Sequence, residues 1–575
     1  MCWTRLVGAA VVVATVACGV APREEPARLV LRNGRIVTVD PQRPEVQALA
    51  IRGDQVIATG SNDEIQRFIG ETTPVIDLAG RLAVPGFIEG HGHFTGLGET
   101  KMQLDLVHAR TWDEIVEQVA DAVKTATPGQ WILGRGWHQE KWETPPAPSV
   151  EGFPLHDALS TVSPNNPVLL THASGHATFA NAKAMALAGI TDATKNPAGG
   201  EILRDARGHA TGLFRETASG LLRRAYRDAE AKRSSADRLA DARRAIALAS
   251  DEALSKGITT FQDAGSSFET IDLLKQMAGE KLLGLRLWVM VREPNDALRA
   301  RLKDYHIEGL GDHRLTVRAI KVTMDGALGS RGAWLLEPYA DLPTSTGLNT
   351  VPPAVVADTA AIAIDHGFQL AVHAIGDRAN RETLDLMERA FEANPTKRDL
   401  RWRIEHAQHL NAADIPRFGR LGVIAAMQGI HCTSDAPYVL ARLGQARAEA
   451  GAYVWQKLMQ SGAVVINGTD APVEDVDPIA SFYASVTRKL KDGTVFYADQ
   501  RMSRAEALRS YTMGPAYAAF EDGIKGSLTP GKLADITVLS RDILAVPDDQ
   551  IPGTEVLYTI VGGEVKYRAP SMAKD

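Results

Sequence analysis

Short apolar runs recur through the middle of the chain, and most are followed by a segment with apolar residues at three- and four-residue spacing. That alternation predicts β-strands each followed by an amphipathic helix. The runs are 82–89, 257–263, 285–291, 318–324, 368–374, 401–406, 422–428 and 463–470. They number eight, as a closed (β/α)₈ barrel requires. Segments 236–254 (ADRLADARRAIALASDEAL) and 380–394 (NRETLDLMERAFEAN) carry the helical period.

The two ends have a different texture. Residues 28–83 alternate short strand-like stretches with turn signals, and Asn33-Gly34 and Gly53-Asp54 read as hairpin turns. The same pattern returns over 520–570, in KLADITVLSRD and EVLYTIVGGEVKYR, with Gly562-Gly563 at a turn. Neither end is large enough for a stable sheet alone, so the two are expected to combine into one small β-sandwich. Between the first two barrel runs, 94–256 is far longer than an ordinary βα connection. It predicts an inserted subdomain, about 94–237, over the C-terminal mouth of the barrel, where a substrate-selecting lid belongs. The expected fold is α/β: a TIM-like (β/α)₈ barrel over 84–519, a composite β-sandwich from both chain ends, and an insert after strand 1.

Composition narrows the function classes. The chain has 575 residues, 45% hydrophobic and 23% charged, with a formal net charge of −7. That charge, without a Lys/Arg block, argues against nucleic acid as a partner. A small-molecule substrate is expected instead, and the sequence leaves homo-oligomer formation open. At the N-terminus, Arg5 precedes an apolar stretch, 6–17, too short to span a bilayer but suited to a signal-peptide core within 1–18. Thr15-Val16-Ala17-Cys18-Gly19 resembles a bacterial lipobox, with Thr15 where Leu is usual, which predicts lipidation at Cys18. Cleavage after Ala21 is the alternative. Residues 19–27, with two prolines, read as a flexible tether. The expected location is periplasmic or membrane-anchored, with secretion as the alternative, and membrane contact only through the lipid. The three cysteines are Cys2, Cys18 and Cys432. A mature chain starting at Cys18 keeps one unlipidated thiol, which excludes an internal disulfide and a cysteine zinc knuckle. Cys432 is expected to be a packed structural thiol.

Six residues carry the chemistry: His91, His93, Lys321, His373, His406 and Asp470 sit at or just past the ends of apolar runs. The C-terminal strand ends of a (β/α)₈ barrel face one mouth, so these side chains are expected to converge there as a metal site. His91 and His93, two positions apart on an extended strand, face the same side. Lys321 stands in the apolar run Ala319-Ile320-Lys321-Val322, where an unpaired ammonium is costly. It must snorkel out, pair with a carboxylate such as Asp325, or change its chemistry by carbamylation with carbon dioxide. His373 and His406 end neighbouring strands. Asp470 supplies a carboxylate, with capping of the next helix as the plain alternative.

The ordered motifs PGFIEGHGH, GWHQEKW, GHATFANAKAM, KVTMDGALGSRGAW, VHAIGDRAN, RIEHAQH, NGTDAPVEDVDP and GSLTPGKLADITVLSRD together resemble the amidohydrolase superfamily. The resemblance is to its family 3 branch, which includes N-substituted formamide deformylases, and covers nearly all of the chain after the tether. It implies two divalent metal ions. His91, His93 and Asp470 would hold one, His373 and His406 the other, and carbamylated Lys321 would bridge them. Asp470 would also be the catalytic acid–base for a hydroxide shared by the ions. Zinc suits an imidazole-rich site without a redox role, with iron, manganese and nickel as alternatives. Trp137, His176, Asp325, Arg331, Gln428 and His431 are candidates for substrate contact, His176 and His431 foremost. Departures from the family pattern are Glu89-Gly90 in place of Asp-Ser, and Gly429 in place of Pro.

The expected activity is hydrolysis of a non-peptide carbon–nitrogen bond in a small amide, formamide or imide. A mononuclear deaminase-type hydrolase of the same barrel and a non-catalytic binding lipoprotein are the rivals.

Overall fold

The computed structural model describes Met1 and residues 25–572; Cys18 and the rest of the expected export signal lie outside the described residues. Eight parallel strands form the central sheet in chain order: β1 Phe87–Gly92, β2 Ile258–Ser266, β3 Arg286–Val291, β4 Leu315–Thr323, β5 Gln369–Ala374, β6 Arg403–His406, β7 Ile424–Gln428 and β8 Val465–Gly468. Most of their residues are buried on both faces because helices cover the outside and side chains fill the inside. All six residues of β3, RLWVMV, are buried. The helix Asp377–Ala393 shows the matching period, burying Ala379, Asn380, Thr383, Leu384, Leu386 and Met387. β8 returns beside β1 to close the ring nearly completely. The two approach so closely that a Cβ on Gly90 would sit 2.4 Å from the Asn467 carbonyl oxygen.

Two further sheets are built from the chain ends. One has four strands, Gln55–Gly60, Ala48–Arg52, Leu29–Arg32 and Val75–Asp77 in spatial order. The other has six, in which Leu82–Pro85 pairs antiparallel with Ile536–Leu539, joining the N-terminal and C-terminal segments directly. Leu31, Ile36, Leu49, Ile51, Ile536, Val538 and Ile560 share the core between them. A third sheet of six strands, drawn from between β1 and β2, forms the inserted subdomain with its own core around Trp112, Trp137, Phe153 and Phe179. The α/β architecture expected from the sequence is therefore the one observed.

Two local expectations are corrected. The run 82–89 is not one strand: it breaks at Pro85-Gly86, leaving Leu82–Pro85 in the end sheet and Phe87–Gly92 in the barrel. Pro85 lacks an amide for a ladder, and a Cβ on Gly86 would collide with Thr259 at 2.2 Å. Asn33-Gly34 does not close a hairpin either. Leu29–Arg32 and Arg35–Val37 pair in different sheets, and Asn33, at φ 57°, turns the chain from one to the other. Gly53-Asp54 and Gly562-Gly563 do close hairpins, with Arg52 opposite Gln55 and Val561 opposite Glu564.

Candidate metal centre

The C-terminal ends of β1, β4, β5, β6 and β8 bring five of the six chemical residues together, with Lys321 beside them. The ring centroids of His91 and His406 lie 4.7 Å apart, those of His406 and His373 4.5 Å, and those of His91 and His93 5.8 Å. Asp470 Oδ1 lies 3.2 Å from His93 Nε2 and 3.4 Å from His91 Nε2. Two sets of donor atoms are compact enough for one ion each: His91, His93 and Asp470, and His406, His431 and Asp470. His373 joins from the far side, its Nε2 3.6 Å from Asp325 Oδ1.

The polar atoms of this cluster fit a cation. His91 Nε2, His373 Nε2, His431 Nε2 and Asp470 Oδ1 are buried, and none has a hydrogen-bond partner. Buried polar atoms are normally satisfied, so four orphans aimed at one small region mark a missing counterpart. Burial holds the His373 and His406 rings well below the usual imidazole pKa, in the neutral form that ligates. Burial works against the Asp470 carboxylate, but His91 and His93 outweigh it and keep its pKa well below the usual range.

Local backbone geometry sets these directions. His406 has φ 75° and Ala407 φ 44°, an uncommon conformation for residues with a Cβ. Strict alternation would send His406 outward with Ile404, away from Arg403 and Glu405; the left-handed residue turns the imidazole into the mouth. Asp470, two residues beyond β8, has φ 56°. It does not cap a helix; Asp477 caps the next one, Pro478–Thr487.

Lys321 is buried in β4, and among the described residues its side-chain amine makes no hydrogen bond or ion pair. Pairing with Asp325 is not observed: that carboxylate accepts the amides of Trp334, Ile375 and Gly376 at 2.8–2.9 Å. Burial lowers the Lys321 amine pKa to about 8, although Glu405 and Asp470 oppose the shift. Asp325 is itself pushed up to about 7 by burial, against its three amide donors.

The expected substrate residues separate. His176 and His431 line the cavity beside the cluster. His176 packs 5.0 Å from the His373 ring and shares its Nδ1 with Glu216 at 2.7 Å. Burial disfavours its charge, but Glu216 outweighs this and raises the ring pKa. Gln428 instead orients a cluster residue, its Oε1 meeting His406 Nδ1 at 2.9 Å. Arg331 lies outside the cavities and pairs with Asp341 at 3.1 Å. Trp137 is enclosed in the core of the insert, where its indole donates to the Leu170 carbonyl at 3.0 Å. Both are thus placed away from the cluster. Trp137 occupies a buried position of its strand, and its neighbours His138 and His172 are the ones that reach the smaller cavity.

Sequence reasoning passed over the pair behind His91. Glu405 Oε2 receives His91 Nδ1 in a very short contact, and Arg403 clamps the same carboxylate through Nε at 2.5 Å and Nη2 at 2.9 Å. Arg403 also reaches Gln262 and the Gly90 carbonyl. Burial opposes the Glu405 charge, but Arg403 and His91 hold its pKa far below the usual carboxylate range. The available signal was an Arg-x-Glu pair, same-facing by alternation, inside a short buried strand.

A cavity of about 1620 Å³ opens from this cluster. The barrel contributes His93, Arg292, Lys321 and Pro472 to its wall, and the inserted subdomain contributes Arg135, His176, Glu216 and Arg223. The insert therefore roofs the mouth.

Comparison with known proteins agrees with this geometry. The chain is 34% identical to Protein LONG AFTER FAR-RED 3 of Arabidopsis thaliana, over 94% of this chain and 92% of that one. It is 27% identical to the N-substituted formamide deformylase of Arthrobacter pascens, over 94% of this chain and 98% of that one. An uncharacterized metal-dependent hydrolase from Pyrococcus horikoshii OT3 superposes with a TM-score of 0.71 at 26% identity, covering 91% of this chain and 99% of the other. Residues 74–567 match the amidohydrolase family across barrel, insert and end sheets alike. The chain belongs to the amidohydrolase family.

Proposed function

We propose that this chain hydrolyses a non-peptide carbon–nitrogen bond in a small amide, formamide or imide, using two divalent ions held at the barrel mouth. His91, His93 and Asp470 would hold one ion. His373 and His406 would hold the other, with His431 close enough to share it, and a carbamate on Lys321 would bridge the pair. Zinc suits this donor set of imidazoles and carboxylates. When bound, the ions lower the pKa of water and polarise the carbonyl to be attacked. The observation that carries the reading is the set of four orphaned buried atoms on His91, His373, His431 and Asp470.

The protein's own groups then have distinct tasks. Asp470, ionised at neutral pH, takes the proton of the attacking water as the new carbon–oxygen bond forms. It returns that proton to the nitrogen as the carbon–nitrogen bond breaks. Glu405 and Gln428 fix the rings of His91 and His406 through their other nitrogens, which selects the ligating tautomer. His176, held by Glu216 and raised in pKa, presents Nε2 to the cavity as a donor for a substrate oxygen. Lys321 has no carboxylate partner and a depressed pKa, so a fraction of free amine is available to take up carbon dioxide.

Metal analysis of the purified protein, combined with a panel of amides, formamides, imides, esters and lactams, tests the reading. About two ions per chain and turnover confined to carbon–nitrogen substrates are expected. One ion per chain with deamination would favour the mononuclear rival, and a metal-loaded protein inert on every class would favour a binder. We further propose export with lipid attachment at Cys18, supported by the Arg5 and 6–17 pattern; the mass of the membrane-fraction protein tests it.

A further inference from the structure

Five arginines of the cavity wall, Arg135, Arg223, Arg227, Arg238 and Arg292, form no ion pair among the described residues, and three of them, Arg135, Arg223 and Arg292, act electrostatically on the cluster or on one another. Arg135 donates to the carbonyls of Ala173 at 3.1 Å and Pro472 at 3.4 Å. Arg223 donates to the Gly175 carbonyl at 3.0 Å, and Arg292 to Thr323 Oγ1 at 3.3 Å. Among the described residues none of the three forms an ion pair. Other enclosed arginines in this protein do: Arg286 with Asp535, Arg403 with Glu405, Arg442 with Asp341. Arg488, which has none, stacks on Trp455 at 4.4 Å and lies outside the cavity wall.

Arg135 and Arg223 are half-buried in the cavity wall. Arg292 is well exposed, but its surroundings are the cavity, and burial depresses the pKa of all three. A guanidinium that faces a cavity with no carboxylate in ion-pair contact is placed to receive an anion entering it.

Glu99 apart, the carboxylates of the same wall are engaged elsewhere. Glu216 takes His176, Glu293 takes the Phe268 amide at 2.9 Å, and Arg233 takes Glu230 and Asp241 at 2.7 Å each. Asp263, which faces Arg292, already accepts the Phe94 amide and the Ser266 hydroxyl. Glu99 attracts Arg135 from beyond ion-pair distance.

The cationic wall adjoins the reacting centre. Arg135 and Arg223 meet at the turn before His176, where a Cβ on Gly175 would lie 3.7 Å from both Arg135 terminal nitrogens. Arg292 is close enough to Lys321 to depress its amine further, and Arg135 feels Asp470.

Building on the hydrolase reading above, we propose that the substrate carries a carboxylate on the side of its amide remote from the ions, and that Arg223 and Arg292, with Arg135, receive it. A planar guanidinium matches a carboxylate edge to edge, and an incoming anion has no ion pair to break at these three arginines. The three arginines are specificity residues; the metal cluster alone performs the bond cleavage.

The test is a series of ω-formamido acids of increasing chain length, each against its own primary carboxamide, on the holoenzyme. At the best length the acid should exceed the carboxamide by about tenfold or more in kcat/KM, the worth of a charge-assisted hydrogen bond. Arg223→Gln and Arg292→Gln should pull that ratio toward one, acting on KM more than kcat, and Arg223→Lys should restore part of it. A carboxamide preferred over its acid, or a ratio unmoved in both Gln variants, overturns the proposal and leaves the hydrolase reading standing. If no member is turned over, the wider panel above decides the hydrolase reading, and calorimetric binding of the 6-formamidohexanoate pair decides the wall by itself. Tighter binding of the acid, lost in both Gln variants, upholds it; equal binding overturns it.

Discussion

His91 and Asp470 meet through backbone and side chain alike. The Asp470 amide donates to the His91 carbonyl at 2.8 Å, and the His91 ring nitrogen Nε2 lies 3.4 Å from Asp470 Oδ1. The first and last barrel strands thus close on each other through the two residues proposed to share an ion. The seam leaves no room: a Cβ on Gly468 would stand 2.6 Å from the His91 amide nitrogen.

Because the backbone link does not depend on the side chain, Asp470→Asn should fold while losing chemistry. A drop in kcat of about 10²–10⁴-fold is expected, the scale of a positioned acid–base, together with reduced metal content. Circular dichroism and metal analysis on the same sample check both halves. Full activity in the variant would remove Asp470 from the mechanism.

Glu405→Gln should weaken metal binding about 10–100-fold, because the carboxylate that orients His91 becomes a neutral amide. Competition with a graded chelator measures it. The same change leaves the enclosed Arg403 without its counter-ion, so the melting temperature should fall as well. Unchanged chelator resistance would mean that His91 needs no orienting partner.

Lys321→Met should retain the fold, since the residue is buried and makes no ion pair, but should bind about one ion instead of two. Labelled bicarbonate should give a carbamate carbon signal in the wild type alone. Two ions retained in the variant at full activity would remove the bridge.

The Arg286–Asp535 pair ties β3 to the end sheet, with contacts of 2.8 and 3.0 Å and a third bond from the Gly562 amide at 2.8 Å. Burial opposes the Asp535 charge, but Arg286 outweighs it and lowers the pKa from 3.8. A carboxyl depressed in the folded state stabilises fully above its unfolded pKa, and that contribution is lost as pH falls through the lower folded value. Asp535→Asn should therefore cost about 3–5 kcal/mol near neutral pH, and the difference from wild type should shrink below about pH 4. Urea midpoints across this range measure it; a difference independent of pH would rule out the ion pair as the cause.

Cys432 is buried, and burial pushes its thiol up to about 12. A disulfide reagent should leave it untouched in the native protein and modify it only on unfolding. Rapid native labelling would contradict the packing.

The strand ends were legible because their rule is local. An apolar run closed by His, Lys or Asp keeps its face and its end whatever its partners, and so β4 through β8 and their chemical residues were read from spacing. The first run was misjudged at its start, since Leu82–Pro85 is as apolar as Phe87–Gly92 and only sheet pairing separates them. Trp137 was placed in the substrate pocket because a motif gives a neighbourhood, not a facing; its strand turns the indole into the core of the insert and leaves His138 toward the cavity.

By itself the sequence determined the βα alternation, the two flanking β segments, the long insert and the residue types at the barrel mouth. Burial period and side-chain alternation are properties of a few adjacent residues, so they survive without coordinates. The tertiary structure alone decided what stands behind and across from those side chains: Glu405 on His91, Glu216 on His176, and the unpaired guanidiniums in the wall. His91 and Glu405 lie 314 positions apart, and no local pattern specifies a contact made only when the barrel closes.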